Sequence, residues 1–279
     1  GHPLRPSILT DAGAFGVLGL DLPASGRVGS GMSSVAIISD AHLRGLEDPS
    51  QASLVEWLDA LQLDELVILG DLFHYWWGYP GSVWPPFRPV VDALARCRAR
   101  GLPITLVPGN HDFTVGPVLE HDLGIRVRGP HLRVWGGKRY LLMHGDEADW
   151  TPGYRLTRRL LRGGSFAWLM ASLGEHRGYS LLKRLAGSSE LMADSYEPAL
   201  LNTQFAFGES MLGSLADLVV MGHVHRPRVV TADAGTIIQL GGWVCRRTWL
   251  RVDDGDATLV QGVDGLRVDQ ASTRRSHRL

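Results

Sequence analysis

The sequence predicts an α/β fold, on three observations. Short apolar runs rich in Val and Ile alternate with segments of helical spacing through the first part of the chain. Past residue 125 short apolar runs follow one another more closely, and one pair flanks Gly136-Gly137. Five of the apolar runs lead into a cluster of Asp, Asn, His and Gly, where open α/β sheets gather their ligands.

Residues 35–39 form an apolar run of buried-strand length. Residues 49–61 have helical spacing, with Leu54, Val55, Leu58 and Leu61 on one face. Residues 66–69 are a second buried strand. Residues 88–100 read as a helix ended by Gly101 and Pro103, and 104–107 as a third strand. This alternation favours parallel pairing. The runs 132–135 and 140–143 around Gly136-Gly137 predict a hairpin. Residues 151–195 read as helical and basic, 197–215 as a further helix, and 218–221 as a buried strand. Short strands over 236–240, 248–252 and 257–260 close the pattern.

The 279 residues are 44% hydrophobic and 20% charged, ordinary for a globular domain. A net charge of −1 gives no global attraction to nucleic acid, which is not an expected partner. Two isolated cysteines, Cys97 and Cys245, do not make a disulfide framework and fit a reducing compartment. No run approaches the ~20 apolar residues of a membrane span. Residues 1–32, rich in Gly, Ala and Pro, read as an added or flexible leader, with Met32 a natural start. Residues 33–265 read as one domain with a helical cap at 151–195, and 266–279 as a basic tail.

The clusters are Asp40-Ala41-His42, Gly70-Asp71, Gly109-Asn110-His111-Asp112, His144-Gly145-Asp146 and Gly222-His223-Val224-His225. Singly each is weak: Gly-Asp after a strand is usually a turn, and a lone histidine is more often structural than a ligand. Together, if the runs share one sheet end, seven ligating side chains converge. Buried charge costs several kcal/mol per ion, so such an arrangement needs a cation to sustain it.

In that order these motifs resemble those of the calcineurin-like metallophosphoesterases. The resemblance, from about 35 to 252, implies a two-sheet β-sandwich flanked by helices (α/β/β/α) and a two-metal hydrolysis of phosphoesters. It implies that Asp40, His42 and His225 bind the first metal, that Asp71 bridges, and that Asn110, His144 and His223 hold the second. His111 would face the substrate phosphate, with Asp112 orienting its ring. Two cations sharing a carboxylate activate water near neutral pH and neutralise phosphoryl charge. An oxygen and nitrogen donor set without thiolate suits Mn, Fe or Zn.

Residues 69–78, Leu-Gly-Asp-Leu-Phe-His-Tyr-Trp-Trp-Gly, are similar to a segment of the bacterial UDP-2,3-diacylglucosamine hydrolases, as is Leu240-Gly241-Gly242-Trp243. Those enzymes cleave a pyrophosphate in lipid A synthesis, releasing UMP and a diacylglucosamine phosphate at the cytoplasmic membrane face, usually with manganese. The branch typically carries arginine where His111 stands. Gly153-Tyr154 matches a substrate-contacting pair in that group. Tyr154, Arg158, Arg226 and Trp76 are the candidate substrate contacts, and the aromatics of the loop after Asp71 read either as a wall beside the metals or as side chains buried under the next helix, with at least half expected to be buried. Residues 151–187 carry seven basic residues against Glu175, a local charge of +6, interleaved with leucines and aromatics. That pattern suits an anionic membrane surface or an acyl-chain groove, and equally a solvated face packed through its leucines. The reading is hydrolysis of UDP-2,3-diacylglucosamine by a cytoplasmic, peripheral enzyme. The alternatives are a soluble nucleotide phosphodiesterase or phosphatase, and a non-catalytic scaffold.

Overall fold

Alternation along the first strand sets the layers. In β1, Ser34–Ile38, Val35 and Ile37 enter one hydrophobic cluster while Ala36 and Ile38 enter another. A strand apolar on both faces lies between two covering layers. The computed structural model describes residues 33–149, 151–263 and 266–267, without side chains at 152, 187–198 and 266–267. The expected leader and most of the expected tail lie outside the described residues.

The chain continues through α1 (Pro49–Ala60), β2 (Glu65–Ile68), β3 (Trp76–Trp77), α2 (Arg88–Ala99), β4 (Ile104–Leu106), β5 (Asp112–Thr114), β6 (Arg126–Val127), β7 (His131–Trp135) and β8 (Lys138–Met143). Then follow α3 (Pro152–Leu161), α4 (Gly164–Met211), β9 (Leu218–Met221), β10 (Arg228–Ala232), β11 (Gly235–Gln239), α5 (Trp243–Arg246), β12 (Thr248–Asp253), β13 (Asp256–Gln261) and β14 (Leu266–Arg267). Local chemistry starts α1: Asp48 accepts the Ser50 N–H at 2.8 Å, and Pro49 opens the helix where no N–H is needed.

One sheet has the order β14-β13-β12-β1-β2-β4-β6, with β1, β2, β4 and β6 parallel. The other runs β10-β11-β9-β8-β7, with β8, β9 and β11 parallel. Val35, Ile37, Val67 and Leu69 of the first meet Tyr140, Leu142, Val220 and Ile238 of the second. Leu54 and Leu58 of α1 with Val90, Leu94 and Cys97 of α2 cover the first sheet's outer face. Phe207 and Met211 of α4 cover Leu141, Met143, Val219 and Met221 on the second. The layering is the expected α/β/β/α, and the hairpin at Gly136-Gly137 forms between β7 and β8. Cys97 and Cys245 are free. Among the described residues no helix is long and apolar enough to cross a membrane.

The helical segment departs from expectation. Instead of one helical stretch to 195 and another from 197, the segment divides between α3 and α4, breaks again at Gly174, and α4 runs through 195–197. There φ is 70°, a left-handed conformation that glycine adopts without a Cβ clash. On both sides of this bend α4 packs on the loop after Asp71. Tyr79 donates its hydroxyl to the carbonyls of Met170 (3.0 Å) and Gly174 (3.1 Å), Tyr179 donates to Trp77 O (2.8 Å), and Trp84 stacks on Tyr179. The aromatics read as a wall beside the metals are therefore the seat of this helix. Trp76 is a correction: it is 1% exposed, stacks on Phe73 and donates its indole N–H to Val115 O at 2.9 Å, so it contacts no substrate. A ring that large, with a partner for its one polar atom, is most stable buried.

Candidate metal centre

The loops that follow β1, β2, β4, β8 and β9 converge at one end of the two sheets, because within each sheet these strands are parallel. The turns are tight. Asp40, His42, Asp71 and His223 take φ values of 49°, 42°, 53° and 70°. Non-glycine residues hold that conformation only where surrounding contacts over-determine it, and such positions cluster at functional sites. Gly109 packs so closely on Asp71 that a Cβ there would overlap its carboxylate.

Two groups result. In the first, His42 Nε2 lies 3.1 Å from His225 Nε2, and these nitrogens lie 3.8 and 3.7 Å from Asp40 Oδ1. In the second, Asp71, His144 and His223 each bring one ligand atom within 4.8 Å of the others. Asp71 Oδ2 is 3.4 Å from His144 Nε2 and 3.6 Å from His42 Nε2, so it stands between the groups. Asn110 Oδ1 joins the second at 3.1 Å from His144 Nε2.

Each carboxylate divides its oxygens. Asp40 Oδ2 accepts the His223 N–H and Asp71 Oδ1 accepts the His111 N–H, both at 2.8 Å, leaving Oδ1 and Oδ2 respectively toward the imidazoles. Asp40 Oδ1 is buried with no hydrogen-bond partner. His144 donates Nδ1–H to Leu69 O at 2.7 Å, the outer contact that turns a histidine's other nitrogen toward a ligand. Burial works to raise the Asp71 carboxyl, but the charges of His144, His111 and His42 overcome it and hold it far below the carboxylate range. Burial likewise opposes ionisation of Asp40, and the nearby His225 and His42 imidazoles, 3.7 and 3.8 Å from Oδ1, outweigh it and hold the carboxyl well below its usual range. The demand for compensating positive charge falls on imidazoles. Against burial, Asp71 raises His144, while Asp40 and Cys245 push His225 up to about 10. Burial, then His144, brings His223 down to about 4. Buried anions, an orphaned oxygen and convergent imidazoles fit divalent cations, which would displace those protons. Either group could hold one.

His111 lies beside the first group, its ring 4.8 Å from that of His42. The expectation that Asp112 orients this ring is corrected. His111 Nδ1–H donates to His74 O at 2.6 Å, while Asp112 Oδ2 accepts the N–H groups of Asp71 (2.9 Å) and Gly109 (3.0 Å). A nearby backbone carbonyl holds an imidazole without desolvating a charge, and the buried carboxylate ties two ligand loops instead. Burial, then the Asp71 charge, pushes Asp112 up to about 6.

Helix α3 lies along the rim. Tyr154 donates its hydroxyl to Asp146 Oδ2 at 2.7 Å, and Arg158 Nε sits 3.0 Å from the same oxygen. Arg162 Nη2 donates to Gly109 O at 2.6 Å, and the Tyr154 ring is 6.4 Å from that of His223. Arg162 was not among the expected site residues, although its spacing of four from Arg158 and eight from Tyr154 marks one helix face. Arg226 is exposed just beyond His225.

The model of the family described as calcineurin-like phosphoesterase matches residues 33–227. The chain is 32% identical to a UDP-2,3-diacylglucosamine hydrolase of Xanthomonas campestris over 254 residues, 84% of this chain and 97% of that protein. It is 30% identical to one of Pseudomonas putida over 230 residues, 79% of this chain and 95% of that protein. With one of Aeromonas hydrophila it shares 29% over 237 residues, 82% of this chain and 98% of that protein. With all five motif loops inside the matched span and gathered at one end of the sheets, the chain belongs to the calcineurin-like phosphoesterase family.

Proposed function

We propose that this phosphoesterase hydrolyses the pyrophosphate of UDP-2,3-diacylglucosamine to UMP and 2,3-diacylglucosamine 1-phosphate. The observation that carries the reaction class is the Asp71 carboxylate, one oxygen of which stands between two imidazole-lined groups. The substrate rests on relatives of that name, matched over nearly their whole length.

Asp40, His42 and His225 would hold one divalent cation and Asn110, His144 and His223 the other, with Asp71 serving both groups and manganese the ion we propose. When bound, such a pair supplies Lewis acidity that activates water and offsets phosphoryl charge. The chain does the rest. With Nδ1–H committed to His74 O, His111 presents Nε2 to the substrate and, as imidazolium, delivers a proton to the leaving oxygen. Asp112 keeps the Asp71 and Gly109 loops in register. Tyr154, Arg158 and Arg162 hold α3 over the rim, where the helix excludes water and brings cationic groups near the pyrophosphate.

Residues 151–195 act as a cap. Leu156, Leu160 and Trp168 are 59%, 63% and 72% exposed, beside Arg155 and Arg159. An apolar row rimmed by arginine suits an interfacial position and supports the reading that the protein works at the cytoplasmic face of the inner membrane. Flotation with anionic liposomes at low salt checks this. Leu156→Glu/Leu160→Glu should lower the bound fraction several-fold, and equal flotation of variant and parent would refute it.

Hydrolysis is tested with manganese-loaded protein and UDP-2,3-diacylglucosamine, reading UMP by chromatography. UMP release that EDTA abolishes is the expected result. Cleavage of bis(p-nitrophenyl) phosphate without UMP release would overturn the substrate and keep the reaction class.

A further inference from the structure

Among the described residues three clusters of ligating atoms lie at this end of the sheets, and two of them contain a carboxylate. The third is made of His42, His74 and His111, each giving one ring nitrogen within 4.8 Å of the others. Composition separates them. Asp40 and Asp71 bring negative charge to the first two, which suits cations. The third offers imidazole alone, a donor set that suits an anionic oxygen when the rings carry N–H outward.

His74 is placed with care for a loop residue. Its N–H donates to Leu43 O at 3.0 Å, and its carbonyl accepts the His111 Nδ1–H at 2.6 Å. Fixed at both ends, the backbone holds the ring 5.5 Å from that of His111 and 5.9 Å from that of His42. The ring is buried at 6% exposure, among imidazoles, with Tyr75 on its far side at 6.0 Å. A site needing only bulk there would cost less to fill with an apolar side chain, since a buried polar ring must be desolvated.

We propose that His74 is a second phosphoryl-contacting imidazole, donating an N–H to a non-bridging oxygen of the phosphate that His111 faces. The inference rests on the phosphoesterase reading above and adds a contact to it. His42 bounds the pocket from the metal side. His111 and His74 bound it from the loop side, so the phosphoryl group would meet two imidazole donors whose relative position one hydrogen bond sets.

The test uses full-length, manganese-loaded protein and inorganic phosphate as probe, with affinity measured by calorimetry and metal content by atomic emission. His74→Ala should keep two ions per chain and bind phosphate about tenfold more weakly, the loss of one hydrogen bond to a charged group. His74→Gln, which retains an N–H donor, should recover most of that affinity. His74→Phe, which keeps the bulk without a donor, should behave as alanine does and covers the case in which alanine folds poorly. With bis(p-nitrophenyl) phosphate, kcat/KM should follow the same order. Unchanged phosphate affinity in both donor-free variants would overturn the proposal, and so would loss of an ion, which would make His74 a metal ligand. Phosphate binding is read without the lipid substrate, so failure of the substrate assignment leaves this test intact.

Discussion

Asp71→Ala should bind fewer than two manganese ions per chain and lose roughly a thousandfold or more in turnover. The side chain does two things at once. Its Oδ2 stands 3.4 Å from His144 Nε2 and 3.6 Å from His42 Nε2, and its Oδ1 accepts the His111 N–H. Removing it takes the shared negative charge from both ligand groups and frees the loop that carries Asn110 and His111. His111→Ala is the contrast. It should keep both ions and lose about 10²–10⁴-fold in kcat, the range for removing a general acid. Metal analysis beside steady-state kinetics separates the two. Equal metal occupancy in Asp71→Ala and wild type would remove the shared-ligand assignment, and metal loss in His111→Ala would make that residue a ligand.

Trp76→Ala should have the largest effect on stability, about 3–5 kcal/mol, as for other buried aromatics cut to alanine. Against the roughly 5–15 kcal/mol that holds a domain folded, that is a large fraction. Trp76 stacks on Phe73 at 4.5 Å between centroids, lies 6.2 Å from Phe87 and gives its indole N–H to Val115 O. Its backbone N–H also donates to His111 O at 3.1 Å, and β3 pairs with β5 through Trp76 and Asp112. Strand and site share this residue, so the variant should lose activity with its fold. Urea unfolding followed by circular dichroism checks it; a loss under about 1 kcal/mol would show that the neighbours close the cavity.

What could be read from the sequence follows from what kind of partner each residue uses. Asp40, His42, Asp71, Asn110, His144, His223 and His225 follow buried strands and come together at one end of the sheets, so residue type and position single them out together. The Gly136-Gly137 hairpin is legible because the turn itself demands those residues. The partner of the His111 ring is not, because it is the backbone carbonyl of His74, which every residue carries. Trp76 and its neighbours misled for a related reason: aromatics beside a metal motif serve a pocket or a core equally well, and only the arrival of α4 decides. The unbroken course of α4 past 195 and its break at Gly174 have no composition signal that sets them apart. The edge strand β10 escaped notice because its two terminal residues, Thr231 and Ala232, face solvent and blur the apolar run.

The contact of His42 with His225 spans 183 residues. A ribosome must therefore deliver both residues before the first ligand group can assemble. A cation seated there would stitch the loop after β1 to the last ligand loop. Chelation would remove that cross-link and leave the pairing of β1 with β12 to tie the early and late parts of the domain together.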